Sequence, residues 1–382
     1  MKSNGAARDG LPHRSGGASV KPRILTVFLL LVPSLGGLPP VLCGQTARPP
    51  TVSTPTLTTL IEPGPQPPDA SADWKHLVGI YGDGIIILER NGVLYWHARD
   101  GQESPIRAST AVGYRFSVFE DMDFLPQTDS SGNVSSLTVS RRNTPLYRDD
   151  GGSDPSHFYH ITPAKPISEL HTQALAAKPP REYRDFRSPD LVELVSLDLT
   201  IRLDIRYAQS NNFLSTPVYT QARAFLQRPA AAALMRVSQK LRPLGYGLLV
   251  HDAYRPWYVT KIFWDATPPE GKQFVADPKK GSKHNRGCAV DLTLYDLATS
   301  KPIEMPGLYD EMSPRSFPTF PGGTSLQRWH RDLLRQAMES EGFGVNESEW
   351  WHFDYQDWQH YAVLNVPFED LGNAGQDSRK VN

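Results

Sequence analysis

Cysteine is scarce in this sequence, since only Cys43 and Cys288 occur among 382 residues. Two cysteines cannot build a zinc-finger cluster, so any zinc site must consist mainly of histidines and carboxylates. An excess of charge is also absent. Forty Lys and Arg residues against 41 Asp and Glu residues give a formal net charge of -1, which offers no electrostatic reason to expect nucleic acid as a partner.

A long unbroken hydrophobic run is missing as well, and this bears on the first 47 residues. A basic leader precedes an apolar block, Ile24 to Val32, and prolines and glycines then interrupt the apolar run from Pro33 onward. This pattern is typical of an export signal and too broken for a good membrane span. We therefore expect an exported protein, periplasmic or extracellular, with a membrane as partner only if the leader stays uncleaved or Cys43 carries a lipid.

Composition divides the rest of the chain into four predicted segments. Residues 48–72 are rich in Pro and Thr, which favours an extended spacer. Residues 73–150 contain short apolar runs separated by turn signals such as Asn91-Gly92, and this predicts a small antiparallel β domain. Its six predicted strands are HLVGIY, GIIILER, VLYWHA, YRFSVFE, SSLTVS and TPLYR. Residues 151–185 are predicted as a linker. Residues 186–382 mix strand and helix patterns without strict alternation, which indicates an α+β fold.

Within 186–382 the pattern predicts individual elements. LVELVSLDLTIRLDIRYA (191–208) alternates apolar and polar residues like a strand, and GYGLLV (245–250) is a second predicted strand. Two helices are predicted, Arg228 to Leu241 and Ser325 to Glu341, and Gly342 provides a stop signal after the second.

The stretch SKHNRGCAVDLTL (282–294) carries the first chemical signal. His284 lies in a polar turn, and Asp291 lies inside an apolar strand, where its charge needs compensation. A metal ion would compensate it, but an ordinary hydrogen-bonded pair would do so too. Cys288 falls on the opposite face of this strand from Asp291, and we interpret it as a buried thiol.

Two further stretches supply the remaining chemical groups. ESEWWHFDY (347–355) offers His352 as a third ligand and Glu349 as an unused carboxylate, although its aromatics could equally be ordinary core. Two histidines, one ligating carboxylate and one spare carboxylate are the inventory of a catalytic zinc site. DAYRP (252–256) follows a predicted strand, and there Asp252 could orient Arg255 or simply form a structural ion pair.

Together these motifs resemble the zinc D-Ala-D-Ala peptidases, which include VanX-type dipeptidases and VanY-type carboxypeptidases. SKHNRGCAVD fits the family signature SxHxxGxAxD, while EWWH, DAYRP and LDIRYAQSNNF are more similar to the dipeptidase branch. The resemblance spans roughly residues 195–355. It implies an α+β catalytic domain with a central antiparallel sheet and one Zn2+ per chain.

The resemblance also implies a role for each site residue. It places zinc on His284, Asp291 and His352 and makes Glu349 the general base and then acid. It makes Arg255 the group that stabilises the transition state, and the DAYRP motif itself suggests Asp252 as the residue that orients Arg255. Asp310 would hold the ammonium of the substrate. Ser282 would contact either the substrate or residues that surround the metal ligands.

Hydrolysis of D-alanyl-D-alanine or a related D,D-dipeptide is the function that this resemblance implies. One alternative within the class is a D,D-carboxypeptidase that trims peptidoglycan stem peptides. An alternative of another class is a non-catalytic protein that binds cell-wall material through the β domain, so cell-wall material is a second expected partner. The presence of both Glu349 and Arg255 favours an enzyme.

Overall fold

The computed structural model describes residues 63–150 and 160–372. The predicted leader, Cys43 and most of the spacer lie outside the described residues. Among the residues described, no helix is both long and apolar enough to cross a membrane.

A short helix and nine strands occupy the N-terminal part of the described chain. The helix is α1 (Ala72–Lys75), and the strands are β1 (Gly79–Tyr81), β2 (Ile85–Arg90), β3 (Val93–His97), β4 (Glu103–Pro105), β5 (Arg107–Ala108), β6 (Phe116–Phe119), β7 (Met122–Thr128), β8 (Val134–Val139) and β9 (Leu146–Tyr147). They form two antiparallel sheets, with strand orders β1-β2-β3-β4 and β5-β6-β7-β8-β9. We call the part from β1 to Asp150 the β module.

Six strands of the β module were predicted from the sequence. They could be predicted because local features, such as turn residues between apolar runs, mark where each strand ends. Asn91 and Gly92 join β2 to β3 with φ values of 50° and 79°, the left-handed pair that an Asn-Gly hairpin requires. The strands that the sequence did not reveal are β4, β5 and β7. Two of them contain proline, which normally argues against a strand, and β5 has only two residues.

The C-terminal part of the described chain contains five α-helices and seven strands. The helices are α2 (Ile167–Ala176), α3 (Leu194–Leu197), α4 (Arg228–Leu241), α5 (Trp257–Ala266) and α6 (Ser325–Glu339). The strands are β10 (Leu191–Glu193), β11 (Arg202–Leu203), β12 (Phe225–Gln227), β13 (Tyr246–Asp252), β14 (Ala289–Asp296), β15 (Phe343–Asn346) and β16 (Glu349–Tyr355).

The main sheet of this part has the order β11-β13-β14-β16-β15. Only the edge pair β11-β13 is parallel, and the other three pairs are antiparallel. The expected central antiparallel sheet thus has one parallel strand at its edge, and β10 and β12 form a separate antiparallel pair.

The predicted helices α4 and α6 form where the sequence indicated and bury one face each. Pro229 lies in the first turn of α4, where its missing N–H is tolerated. Thr324 and Gln327 cap α6 reciprocally, and the helix ends before Gly342, which has φ 84°. Both helices pack against the main sheet through side chains with helical spacing, among them Leu234, Val237, Leu241, Leu333, Leu334 and Met338.

Two predictions for this part were wrong in detail. Residues 191–208 do not form one strand but break into β10, α3 and β11. Asp198 causes part of this break, because its Oδ1 accepts hydrogen bonds from the backbone N–H and the hydroxyl of Thr200. The predicted linker 151–185 contains α2, which packs on α5 and buries Leu170 and Ala174, one helical turn apart.

Gly247 in β13 provides a test of how tightly this sheet is packed. A Cβ atom at Gly247 would lie 2.3 Å from the ring of Tyr295, its partner on β14. That ring is fixed, because the Tyr295 hydroxyl donates to the Thr200 carbonyl at 2.6 Å. Gly247→Ala should therefore lower the free energy of unfolding by about 1–3 kcal/mol, measured by chemical denaturation.

Gly344 is the matched control, because it also lies in a strand of this sheet and a Cβ there would meet nothing within 4 Å. Gly344→Ala should leave the midpoint of chemical denaturation nearly unchanged. Equal effects of the two substitutions would contradict the assignment of the Gly247 effect to Tyr295.

Candidate metal centre

Three buried side chains converge where β14 and β16 pair. Asp291 on β14 lies directly opposite His352 on β16. His284 begins a single 3-10 turn just before β14, and Gly287 with φ 67° ends that turn and returns the chain into the strand. One potential ligand atom from each of His284, Asp291 and His352 lies within 4.8 Å of the other two.

The hydrogen bonds of the two imidazoles leave one nitrogen of each for this cluster. His284 Nδ1 lies 2.7 Å from the Ala253 carbonyl and His352 Nε2 lies 3.0 Å from Asp354 Oδ1. Both partners can only accept, so these two nitrogens carry hydrogen. His284 Nε2 and His352 Nδ1, which face each other at 3.1 Å, are therefore the atoms available for a metal.

Asp291 gives the strongest indication that a cation belongs here. Its Oδ1 is buried without a hydrogen-bond partner and lies 3.3 Å from His284 Nε2 and 3.1 Å from His352 Nδ1. Burial disfavours the carboxylate, but positive charge on the two imidazoles would hold the pKa of Asp291 well below its usual range. When the imidazoles are neutral, as metal ligands must be, two nitrogen lone pairs and one carboxylate oxygen repel one another unless a cation lies among them. Two histidines and one carboxylate also match the donor set of zinc, so the residues fit the expected ion.

Arg255 reaches the same place from the loop after β13. Its Nε and Nη2 donate to Asp252 Oδ2 at 2.9 and 2.7 Å, and Nη2 lies 4.0 Å from Asp291 Oδ2. Asp252 is itself fixed, because its Oδ1 accepts from the Tyr219 hydroxyl at 2.7 Å and from the Ala253 N–H at 2.9 Å. The guanidinium also lies over the ring of Phe263, 4.7 Å from the centroid. Asp252 thus holds Arg255 in one orientation.

Glu349 is the first residue of β16, three positions before His352. Its Oε2 lies 3.4 Å from His352 Nδ1 and 3.4 Å from Asn346 Nδ2. Burial raises the pKa of its carboxyl above the usual range. A carboxyl with a raised pKa next to a metal site can both accept and return a proton near neutral pH.

Asp310 lies in the loop between β14 and α6. Its Oδ2 accepts a hydrogen bond from the Tyr207 hydroxyl at 2.8 Å, and its backbone adopts a left-handed φ of 61°. Burial raises the pKa of this carboxyl to about 8. A buried carboxyl of this kind gains most from a partner that brings positive charge.

All eight residues to which the sequence assigned a role lie in this region. Seven of them line one cavity of about 310 Å3: Arg255, Ser282, His284, Asp291, Asp310, Glu349 and His352. Asp252 does not line the cavity but forms hydrogen bonds with Arg255, which does. Ser282 Oγ accepts from the backbone N–H of His284 at 3.2 Å, so this serine also braces the ligand turn.

Several residues of the site were not assigned a role from the sequence, and three of them form hydrogen bonds with His352, Asp310 and Asp291. Asp354 orients His352, Tyr207 donates to Asp310, and the Tyr309 hydroxyl donates to Asp291 Oδ2 at 3.2 Å. Tyr309 in turn stacks on His251, with ring centroids 4.5 Å apart. Asp354 and Tyr309 are sequence neighbours of assigned residues, and that proximity was the available signal.

Cys288, His171 and His330 do not belong to the ligand cluster. Cys288 is a buried free thiol, as predicted, and burial raises its pKa to about 12. His330 contacts the Tyr246 hydroxyl at 2.9 Å, and His171 packs edge-on against Tyr258.

Asp354 allows a test of the metal centre that does not depend on catalysis. Asp354→Asn removes the charged acceptor that fixes His352 Nε2–H, so zinc affinity should fall about 10–100-fold. Competition with a chromophoric chelator measures it. Asp357→Asn is the control, because Asp357 pairs with Arg187 outside the cavity. Unchanged affinity in Asp354→Asn would show that Asp354 does not support the ligand.

Comparison with known proteins agrees with this geometry. A profile of the family described as D-ala-D-ala dipeptidase matches residues 187–370. The D-alanyl-D-alanine dipeptidase of Escherichia coli K12 is 34% identical over 186 residues, which cover 49% of this chain and 95% of that protein. The enzymes of the same name from Enterococcus faecalis and Streptomyces coelicolor are each 34% identical, over 44% of this chain and 89% and 91% of their own lengths. The chain therefore belongs to the D-Ala-D-Ala dipeptidase family of metallopeptidases.

Proposed function

We propose that this protein hydrolyses D-alanyl-D-alanine, or a closely related D,D-dipeptide, with one Zn2+ held by His284, Asp291 and His352. The observation that carries the proposal is the arrangement of the cavity, in which the buried oxygen of Asp291 lies beside two imidazole nitrogens and near both Glu349 and Arg255. When bound, zinc supplies Lewis-acid chemistry that these side chains alone do not provide.

Glu349 is the residue that moves the proton. Its carboxylate accepts a proton from the attacking water and then donates it to the amine that leaves. Burial raises the pKa of Glu349 above its usual range, which makes this carboxylate a stronger proton acceptor than an exposed one. Asn346 Nδ2 lies 3.4 Å from Glu349 Oε2, the same oxygen that lies near His352 Nδ1.

Arg255 stabilises the negative charge that develops on the scissile carbonyl oxygen. Its two hydrogen bonds to Asp252 fix the guanidinium before the substrate arrives, so no reorganisation is needed during the reaction. Because Asp252 and Tyr219 form a buried network behind Arg255, the cation is held at the cavity wall and not in solvent.

Asp310 selects substrates with a free amino end. The dipeptide brings an ammonium group, and the buried carboxylate of Asp310 is its natural partner. A longer peptide would have to place a neutral amide against this carboxylate, which loses the ion pair. Asp310 and the limited cavity volume therefore favour a dipeptidase over a D,D-carboxypeptidase. Ser282 lines the same cavity next to His284, and we assign it a contact with the substrate.

We further infer that the protein acts outside the cytoplasm, where cell-wall peptides occur. This inference depends on the basic leader and apolar block before residue 48, which lie outside the described residues. Binding of cell-wall material by the β module remains a prediction from the sequence.

Glu349→Ala tests the proposed function directly. The variant should bind one zinc per chain like the wild type but lose on the order of 10²–10⁴-fold in kcat, because the proton acceptor is gone. Metal analysis is paired with a panel of D-Ala-D-Ala, its L,L counterpart and a pentapeptide stem. Glu347→Gln is the control, since Glu347 is exposed and only two positions away.

Wild-type protein that binds zinc without hydrolysing any of these peptides would overturn the proposal and favour a binding protein. Preferential cleavage of the stem peptide would favour the carboxypeptidase instead.

The pKa of Asp310 generates a pH prediction. Below about pH 8 the raised pKa leaves part of Asp310 protonated, whereas the α-amino group of a dipeptide is already charged, with a pKa of about 7.7–8.0. The apparent KM should therefore fall as pH rises from 6 towards 8. A bound dication lowers the pKa of Asp310 but does not change the sign of this trend.

Asp310→Asn separates this effect from other titrations. The ratio of the variant's KM to that of the wild type should grow with pH over this range, because only the wild type gains a charge at this position. A constant ratio would show that Asp310 does not hold the ammonium.

A further inference from the structure

We propose that the β module is a fixed part of the catalytic unit that positions the Asp310 loop, and that Asp150 and Glu89 are its positioning residues. The Asp310 loop is defined here as residues 305–324, between β14 and α6. This inference rests on the proposed function, because the loop matters for catalysis only if Asp310 holds the substrate ammonium.

The first contact joins the end of β2 to the start of α6. The Glu89 N–H donates to the Gly323 carbonyl at 3.1 Å, and Glu89 Oε2 accepts from the Ser325 N–H at 2.7 Å. Glu89 is only 2% exposed, so this charge lies buried at the N-terminus of a 15-residue helix. Arg328 completes the contact, because its Nη2 donates to the Glu89 carbonyl at 2.7 Å and its Nη1 to the Gly323 carbonyl at 2.8 Å.

The second contact joins the end of the β module to the middle of the loop. Arg315 Nη1 lies 3.4 Å from Asp150 Oδ2, and Arg315 Nε donates to the Pro306 carbonyl at 3.1 Å. Asp150 is 2% exposed and is fixed in the module by Arg148 Nε at 2.6 Å and the Ile80 N–H at 3.1 Å. Arg315 thus ties two separate points of the loop to an anchored carboxylate.

A third contact shows that the two parts touch closely. A Cβ atom at Gly322 would lie 3.0 Å from the Ile86 side chain of β2 and 2.3 Å from the Phe320 ring. Only a residue without a side chain allows this approach. The module therefore contacts the loop at its middle and at its C-terminal end.

The conformation of the loop explains why such support is needed. Asp310 has a left-handed φ of 61°, which a non-glycine residue maintains only when its surroundings enforce it. The neighbouring Tyr309 donates to Asp291, so the same loop reaches the metal ligands. Glu311 closes the turn by accepting from the Leu308 N–H at 2.7 Å, and Glu311 lies 3.3 Å from Arg315 Nε. A displacement of Arg315 would be transmitted through Glu311 to the turn that contains Tyr309 and Asp310.

Asp150→Asn tests this inference, because the substitution keeps the size of the side chain and replaces no residue of the cavity or of the loop. Hydrogen exchange of residues 305–324 should become faster. The KM for D-Ala-D-Ala should rise on the order of tenfold, with kcat and zinc content near wild-type values. The KM for N-acetyl-D-Ala-D-Ala, which has no ammonium for Asp310 to bind, should stay unchanged.

Two further variants guard against a loss of folding. Asp83→Asn is the matched control, because Asp83 forms an exposed ion pair with Arg142 within the same module and touches no part of the loop. Glu89→Gln weakens the other contact and should produce the same pattern. In a double-mutant cycle, Asp150→Asn and Arg315→Gln should raise KM less than additively, since both break one contact.

Unchanged loop exchange and unchanged KM in Asp150→Asn and Glu89→Gln, or additive effects in the cycle, would overturn the inference. Loop exchange does not depend on turnover. A wild-type protein that fails to cleave the dipeptide would therefore contradict the proposed function. Faster exchange in Asp150→Asn would still support the inference that the β module positions the Asp310 loop.

Discussion

The register between β14 and β16 places Asp291 opposite His352, and the rest of the site is arranged around this pair. Side chains in a strand alternate between two faces, so a slip of one residue would turn one of the two ligands away from the other. Glu349 lies three residues before His352 at the start of the same strand, where its carboxylate still reaches the ligand nitrogen. Apolar neighbours such as Val290, Leu292 and Phe353 anchor both strands in the core and thereby fix the register.

Negative charge is concentrated around this pair, and its compensation shapes the surroundings. Asp252 and Asp291 face each other across β13 and β14, an arrangement of like charges that would destabilise the sheet if left alone. Arg255 lies between them and binds Asp252, while the imidazoles lie on the other side of Asp291. A dication at the imidazoles would complete this balance. The proposed zinc ion and substrate ammonium would thus place positive charge at two positions in the cavity, at the ligands and beside Asp310.

The sequence predicts the parts of this arrangement that depend on local order. His284, Asp291, Glu349 and His352 occur in short motifs that can be recognised by their residue spacing. The helices α4 and α6 are likewise marked locally, α4 by Pro229 in its first turn, α6 by its capping box, and both by apolar residues at helical spacing. The partners of these groups were harder to predict. Tyr207 lies 103 positions before Asp310, and nothing in its local sequence distinguishes it from an aromatic residue that only packs in the core. The break of 191–208 into short elements likewise depends on Asp198, whose side chain competes for backbone hydrogen bonds.

The contacts of the β module with the Asp310 loop are long-range and could not be predicted from the local sequence of the module. Its strands resemble an independent accessory domain because each hairpin is encoded locally, and it has a core of its own around Phe124 and Leu137. Nothing in the local pattern shows that Glu89 contacts a helix more than 230 positions later. A buried carboxylate with a backbone partner across the contact would lose that hydrogen bond if the two parts separated. This cost opposes a freely tethered module and favours one that moves together with the Asp310 loop.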